Sequence, residues 1–192
     1  MAPQISSPFY TDDHRAFGEV VRQFTEKEIA PHVHEWDLAG EVPRDLYNKA
    51  GAIGFFGDGF DAEYGGHGQR DALLRLVLLE ELSMAGSGGV VASVFSNYIG
   101  LPPIQKFGSD ELKARVIPDC MTGEKIAALA ITEPSGGSDV ARITTTARLD
   151  GDHYVVNGSK TFITSGMRAD WFTTAVRTGD EGARGLSMLV IP

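Results

Sequence analysis

Thr132 and Thr164 carry the clearest chemistry in this sequence. Each ends a short apolar segment, Ile131-Thr132 and Ile163-Thr164, and each is followed by a loop of small polar residues and glycine. A threonine hydroxyl can donate or accept a hydrogen bond. Beyond Thr132, Pro134 fixes φ and removes a donor. Ser135-Gly136-Gly137-Ser138 can then bend sharply and leave backbone N–H groups facing outward. A nest of N–H groups with the Ser138 hydroxyl beside it suits a phosphate. Phe162, two residues before Thr164, offers a flat apolar face. The set fits a planar heterocycle edged with hydrogen-bonding atoms and tied to phosphates, and a flavin dinucleotide is such a ligand. It also fits a β-hairpin protein with ordinary Ser/Gly turns, and spacing alone leaves both readings open.

The elements that must position these residues fall in two sets. Asp150-Gly151 and Asn157-Gly158 are tight-turn signals, because glycine reaches positive φ without a steric penalty. Strands are expected over 126–132, 142–149, 153–157, 159–164, 171–177 and 186–191, where Val, Ile, Thr and aromatics dominate. They read as an antiparallel meander that brings the two threonine-ended strands together. The front half reads as helix. Residues 12–38 form one helix with Thr11 as N-cap, an apolar stripe of Phe17, Val20, Val21 and Phe24, and a kink at Pro31. A second helix runs from Pro43 to about Gly54. The glycine-rich stretch Gly57 to Gly68 follows no strand and reads as a connector, not a phosphate loop. Residues 70–85 are apolar nearly all round and belong in the core, with Glu80 and Glu81 on a solvated edge. Residues 87–99 mix bulk with small residues such as Ser96, leaving room for a neighbouring helix or an acyl chain. Ser109 caps a last helix that meets Pro118 and stops near Gly123. Helices followed by strands without alternation indicate two domains, 1–124 all-α and 125–192 an antiparallel β-barrel, an α+β multidomain chain.

Composition narrows the function. The 192 residues are 42% apolar and 22% charged, as in an ordinary globular protein. A net charge of −9 without a basic cluster argues against nucleic acid and against an anionic membrane surface. No apolar run is long enough to span a bilayer, and the N-terminal residues carry neither a signal-peptide core nor an Arg-rich presequence. Cys120 is the single cysteine, so no internal disulfide forms. A cytoplasmic location is expected. His32 and His34 point to different faces of a helix and are poor joint ligands, so no metal is expected.

Two long segments also carry a family resemblance. Ala130-Ile131-Thr132-Glu133-Pro134-Ser135-Gly136-Gly137-Ser138-Asp139 resembles the first signature of the acyl-CoA dehydrogenases, and Asn157-Gly158-Ser159-Lys160-Thr161-Phe162-Ile163-Thr164-Ser165-Gly166 their second conserved segment. The resemblance covers the whole chain. Gly136 stands where the family often has Ala, and Phe162 where many members have Trp.

The resemblance implies an FAD-dependent oxidoreductase that removes an α-proton from an acyl-CoA thioester and transfers the β-hydride to flavin N5. Leu129, Ala130, Ile131, Thr132, Gly137, Ser138, Phe162, Ile163 and Thr164 would then bind the cofactor. Thr132 and Thr164 would meet the isoalloxazine edge, with Thr164 near N5, and Phe162 would pack on the ring. Ser138 would also touch the CoA-bearing substrate. Beside the resemblance, the loop Thr178 to Gly185 is expected to help hold the polyanionic CoA through Arg177 or Arg184; a mobile surface hairpin is the alternative. An electron-transfer flavoprotein would accept the electrons, and the full-length form would be a homo-oligomer, a tetramer in the family. The family's glutamate base is expected beyond Pro192, in a C-terminal helical domain. Glu133, beside Thr132, is expected to make a structural hydrogen bond instead. The alternatives are a flavin oxidase or monooxygenase on the same scaffold, and a truncated, non-catalytic flavin-binding fragment.

Overall fold

The computed structural model describes residues 7–68 and 70–192. The N-terminal stretch read for targeting signals therefore falls partly outside the described residues. Contacts divide the chain into two compact units, Met1–Val94 with Met121–Glu124, and Phe95–Cys120 with Lys125–Pro192. Among the described residues no helix is long and apolar enough to cross a membrane.

In the first unit, α1 (Asp12–Phe24) starts at a reciprocal cap: the Thr11 hydroxyl accepts from the His14 amide, and His14 Nδ1 accepts from the Thr11 amide. The expected single helix over 12–38 is not continuous. A π-helical turn covers Thr25–Ile29, a 3-10 turn Ala30–His32, and α2 resumes at Val33–Ala39. Pro31 explains the break, because it has no N–H for the carbonyl four residues back and its ring crowds that carbonyl. The buried face of α1 is His14, Gly18, Val21 and Phe24, while Val20 is 43% exposed, so the true stripe is shifted from the expected one. Helix α3 spans Arg44–Ala52, α4 Ala72–Ser83 and α5 Gly88–Val94. Helix α4 buries only Val77, Leu78 and Leu82 and leaves Leu76 exposed, so it is less central than its composition suggests. Glu80 and Glu81 are not a free solvated edge. Arg22 grips Glu81 with two bonds of 2.6 and 2.9 Å, and the Tyr10 hydroxyl donates to Glu80 at 2.8 Å. The glycine-rich connector is tied to α4 by buried Asp58, which pairs with Arg75 at 2.7 Å and accepts from the Asp71 amide.

In the second unit, α6 (Ser96–Gly100), α7 (Pro102–Phe107) and α8 (Asp110–Met121) precede five strands: β1 (Ala127–Ala130), β2 (Thr146–Asp150), β3 (His153–Asn157), β4 (Trp171–Arg177) and β5 (Leu186–Ile191). The sheet is mixed and is not a closed barrel, which corrects the antiparallel barrel expected from the sequence. Strand β1 runs parallel to β4, with Ala127 opposite Trp171, and β2 meets β4 in parallel at Thr146 and Arg177. Only β2–β3 and β4–β5 are antiparallel. The cause is the long connection between β1 and β4, which lets β4 return in the direction of β1; turn signals between near neighbours do not report such a pairing. Helix α6 lies on β1 through polar contacts. Asn97 donates to the Cys120 carbonyl and accepts from the Ala127 amide, Ser96 Oγ donates to the Ala127 carbonyl at 2.8 Å, and Thr173 Oγ1 donates to the Gly100 carbonyl at 2.7 Å.

Candidate functional site

The site lies wholly in the second unit and begins where β1 ends. After Ala130 the chain continues through Ile131 and Thr132 to Glu133, then turns back at Pro134-Ser135. The turn is closed twice, Glu133 N–H to the Gly136 carbonyl and Gly136 N–H to the Glu133 carbonyl, both 3.0 Å. The Gly136 amide is thus spent on the turn. The amides of Gly137 and Ser138 have no protein acceptor among the described residues. Gly137 sits against Thr132: a Cβ added there would lie 3.1 Å from Thr132 Cγ2.

The second segment does not form the strand expected over 159–164. It is pinned to the first by a backbone and a side-chain contact. The Thr161 amide donates to the Thr132 carbonyl at 2.9 Å. Lys160 Nζ donates to the Ile131 carbonyl at 2.9 Å and to Glu133 Oε1 at 3.0 Å. Phe162 then takes a left-handed backbone, φ 54°, and Ser165 follows with φ 60°. Such residues depart from the extended backbone that a regular strand requires. A short turn, Gly166 N–H to the Ile163 carbonyl and Ala169 N–H to the Ser165 carbonyl, returns the chain to β4.

Glu133 anchors the assembly. It is 4% exposed and accepts four bonds: Oε2 from the Thr144 amide and hydroxyl at 2.9 and 2.7 Å, Oε1 from the Thr145 amide at 2.9 Å and from Lys160. Burial alone would raise the carboxyl pKa, but the donors from Thr144 and Thr145 outweigh it and hold the group well below the usual carboxylate range. A carboxylate so stabilised in its charged form, with its lone pairs committed, is unsuited to proton abstraction. Its role is structural, as its place before the proline turn suggests.

A cavity of about 290 Å³ is lined by Leu129, Ile131, Thr132, Phe162, Ile163 and Thr164, together with Ser96 and Ile99 of α6. The structure therefore brings the two threonine-ended segments to one concavity. Ala130 instead lines a second cavity of about 540 Å³, which shares Phe162 and Ile163 with the first. Gly137 and Ser138 line neither, and Ser138 is exposed on its loop. Phe162 stands 92% exposed at the rim of both. Among the described residues the Thr132 and Thr164 hydroxyls have no protein partner. Ser96 was legible as a small residue that leaves room. Ile99 was not singled out, although it lies one helical turn beyond Ser96 on the same face.

The second anchor loop divides. Arg177 is committed to carbonyls: Nε to Ile143, Nη1 to Asp180 and Gly182, Nη2 to Ala141. Arg184 is exposed, and no ion pair involves it among the described residues. No group of three or more His, Cys, Asp or Glu among the described residues is placed to hold a metal, and His32 and His34 are exposed.

Residues 11–124 match the family model for the acyl-CoA dehydrogenase N-terminal domain, and residues 128–192 that for the acyl-CoA dehydrogenase middle domain. Acyl-CoA dehydrogenase apdG of Emericella nidulans is 38% identical over 206 residues, covering 98% of this chain and 47% of that protein. The crystal structure of acyl-CoA dehydrogenase from Geobacillus kaustophilus superposes with a TM-score of 0.88 at 40% identity, over 97% of this chain and 49% of the other. That of acyl-CoA dehydrogenase complexed with FAD from Bacillus anthracis gives 0.82 at 31% identity, over 99% and 33%. The chain spans about half the length of the curated relatives it matches.

Proposed function

The chain belongs to the acyl-CoA dehydrogenase family, and from that premise we propose that it serves FAD-dependent α,β-dehydrogenation of an acyl-CoA thioester. The observation that carries the reading is the convergence of Thr132, Phe162 and Thr164 on one cavity, with two unpartnered hydroxyls and an exposed aromatic face. That donor set fits a flavin. Bound there, FAD supplies the two-electron acceptor that protein side chains lack. Thr132 and Thr164 donate to its polar edge, where fixed donors favour added negative charge. Phe162 lies on its ring face, and Leu129, Ile131 and Ile163 keep water from the site. Ala130 holds the end of β1 between the two cavities. The open amides of Gly137 and Ser138 hold phosphate, and the exposed Ser138 hydroxyl meets the CoA-bearing substrate. We place the domain boundary at 124/125. We further propose an electron-transfer flavoprotein as electron acceptor, a homotetramer as the assembled form, a role in fatty acid metabolism, and a cytoplasmic setting consistent with a sequence that holds a single cysteine, Cys120.

The cofactor assignment is tested by titrating FAD into the purified chain and following flavin fluorescence. Thr164→Val keeps the shape and removes the hydroxyl. It is expected to weaken FAD binding about two- to tenfold, the equivalent of one net hydrogen bond. Equal affinity and an equal flavin spectrum in the two proteins would remove Thr164 from the site.

The substrate anchors are tested separately. Ser138→Ala and Arg184→Ala are expected to weaken acyl-CoA binding, and Arg184→Ala to flatten its dependence on salt. Arg177→Ala is expected to lower the thermal midpoint instead, because its guanidinium ties together four carbonyls of the protein itself. Unchanged affinity and salt slope in both anchor variants would refute their role.

A further inference from the structure

We infer that the Lys160–Glu133 pair is the positioning device of the flavin site: it sets the spacing between Thr132 and Thr164 and holds Phe162 out at the rim. The inference rests on the flavin reading above and adds to it a part for two residues that touch no ligand.

The geometry is that of a clasp. Three consecutive positions of the first segment are held from two consecutive positions of the second. Lys160 reaches the Ile131 carbonyl and the Glu133 carboxylate, and the Thr161 amide takes the Thr132 carbonyl between them. Thr132 is thus bracketed on both sides. Glu133 is in turn fixed by the Thr144 amide and hydroxyl and by the Thr145 amide, so the clasp is rooted in the chain leading into β2. The Lys160 side chain is 11% exposed and that of Glu133 3%, so solvent screens the pair little.

What the clasp holds is intrinsically unfavourable. Phe162 follows Thr161 directly, and a left-handed backbone is disfavoured for any residue with a Cβ. A 92% exposed phenylalanine ring also gains nothing from burial. Strained residues of this kind persist where their surroundings over-determine them. Here the upstream side is over-determined by Lys160 and Thr161, and the downstream side by the Ile163–Gly166 turn. Release of the upstream side would let Phe162 relax toward an extended backbone. The aromatic face and the Thr164 hydroxyl would then leave the cavity together.

The test uses Lys160→Met, which keeps length and loses charge, Lys160→Arg, and Glu133→Gln, alone and combined with Lys160→Met. Three quantities are read in the whole chain: amide exchange at Thr161 without flavin, FAD affinity, and the thermal midpoint. Lys160→Met is expected to speed Thr161 exchange and weaken FAD binding, each by about tenfold or more, as for a lost charge-assisted hydrogen bond. Lys160→Arg should restore part of both, and the double variant should lose no more than Lys160→Met alone. A lowered midpoint with wild-type FAD affinity in the folded protein would make the pair merely structural and overturn the inference. If the parent chain binds no FAD, the flavin reading fails, and Thr161 exchange then decides: lost protection in Lys160→Met retains the clasp, and unchanged protection refutes it. Should Lys160→Met not fold, Thr144→Val, which removes one donor to Glu133, is expected to give a smaller change in the same direction, and no change in either exchange or affinity would count against the clasp.

Discussion

Gly123→Ala is expected to cost about 2–5 kcal/mol of stability, combining a left-handed backbone with a clash that no side chain can relieve. Gly123 has φ 76°, and a Cβ built there would lie 1.9 Å from the Tyr47 carbonyl oxygen and 2.8 Å from the Asn48 amide nitrogen. The obstacle is the backbone of α3. That backbone is not free to yield: Tyr47 is fully buried, stacks on Phe56, and donates its hydroxyl to the Ser93 carbonyl at 2.8 Å. The next residue is held as well, since Arg44 donates to the Glu124 carbonyl. Gly151→Ala is the control. It shares the left-handed backbone, φ 65°, but has nothing within 4 Å of its Cβ position, so it should cost only about 1–2 kcal/mol. Urea unfolding followed by circular dichroism compares the two. Equal midpoints would mean that residue 123 does not touch α3. Since a domain holds only about 5–15 kcal/mol in all, the larger value would leave the first unit partly unfolded at room temperature.

The sequence carried the local structure well and the long-range structure poorly. The turn at Gly151 was readable because its cause, glycine's access to positive φ, lies within one residue, and β3, β4 and β5 fall where the segments rich in Val, Ile, Thr and aromatics put them. The break after Phe24 was readable only in part. Pro31 announces a break, but its effect propagates back to Thr25, where a π turn absorbs the lost bond. The parallel pairing of β1 with β4 joins residues 127 and 171 and leaves no mark on either strand alone. The mistaken strand over 159–164 has the same origin. Thr161, Phe162, Ile163 and Thr164 have strand composition, yet Lys160 and Thr161 are drawn onto the 131–133 segment and Phe162 into a left-handed turn. Of the candidate site, what could be read was residue type, which is itself chemistry: Thr132, Phe162 and Thr164 line one cavity, whereas Gly137 and Ser138 of the serine–glycine loop line neither. Ile99 escaped because its helix is joined to the cavity by tertiary packing alone.

Acid is expected to weaken the second unit through Glu133, and Glu133→Gln is expected to abolish that part of the pH dependence. At neutral pH the variant should lose about 3–5 kcal/mol, the usual result of removing one partner of a buried ion pair. Lys160 would be left charged at 11% exposure beside an amide that cannot neutralise it. The sign follows from the lowered pKa. In the unfolded chain a glutamate titrates near 4.3, whereas in the folded protein the donors from Thr144 and Thr145 hold Glu133 well below that value. The unfolded state therefore binds the proton first as pH falls, and stability declines with it. The contribution is complete above the unfolded value, begins to fall near pH 5, and disappears as pH drops through the folded value. Glu28 and Asp71 are also lowered, but they are present in both proteins and cancel in the difference. The measurement is urea unfolding at several pH values from neutral to about 3, in a Trp36→Phe background so that buried Trp171 of β4 alone reports. The gap between parent and Glu133→Gln should be widest at neutral pH and narrow steadily on acidification. A gap that stays constant across the range would mean that Glu133 gains nothing from its charge, and the four hydrogen bonds it accepts would then have to be those of a neutral acid.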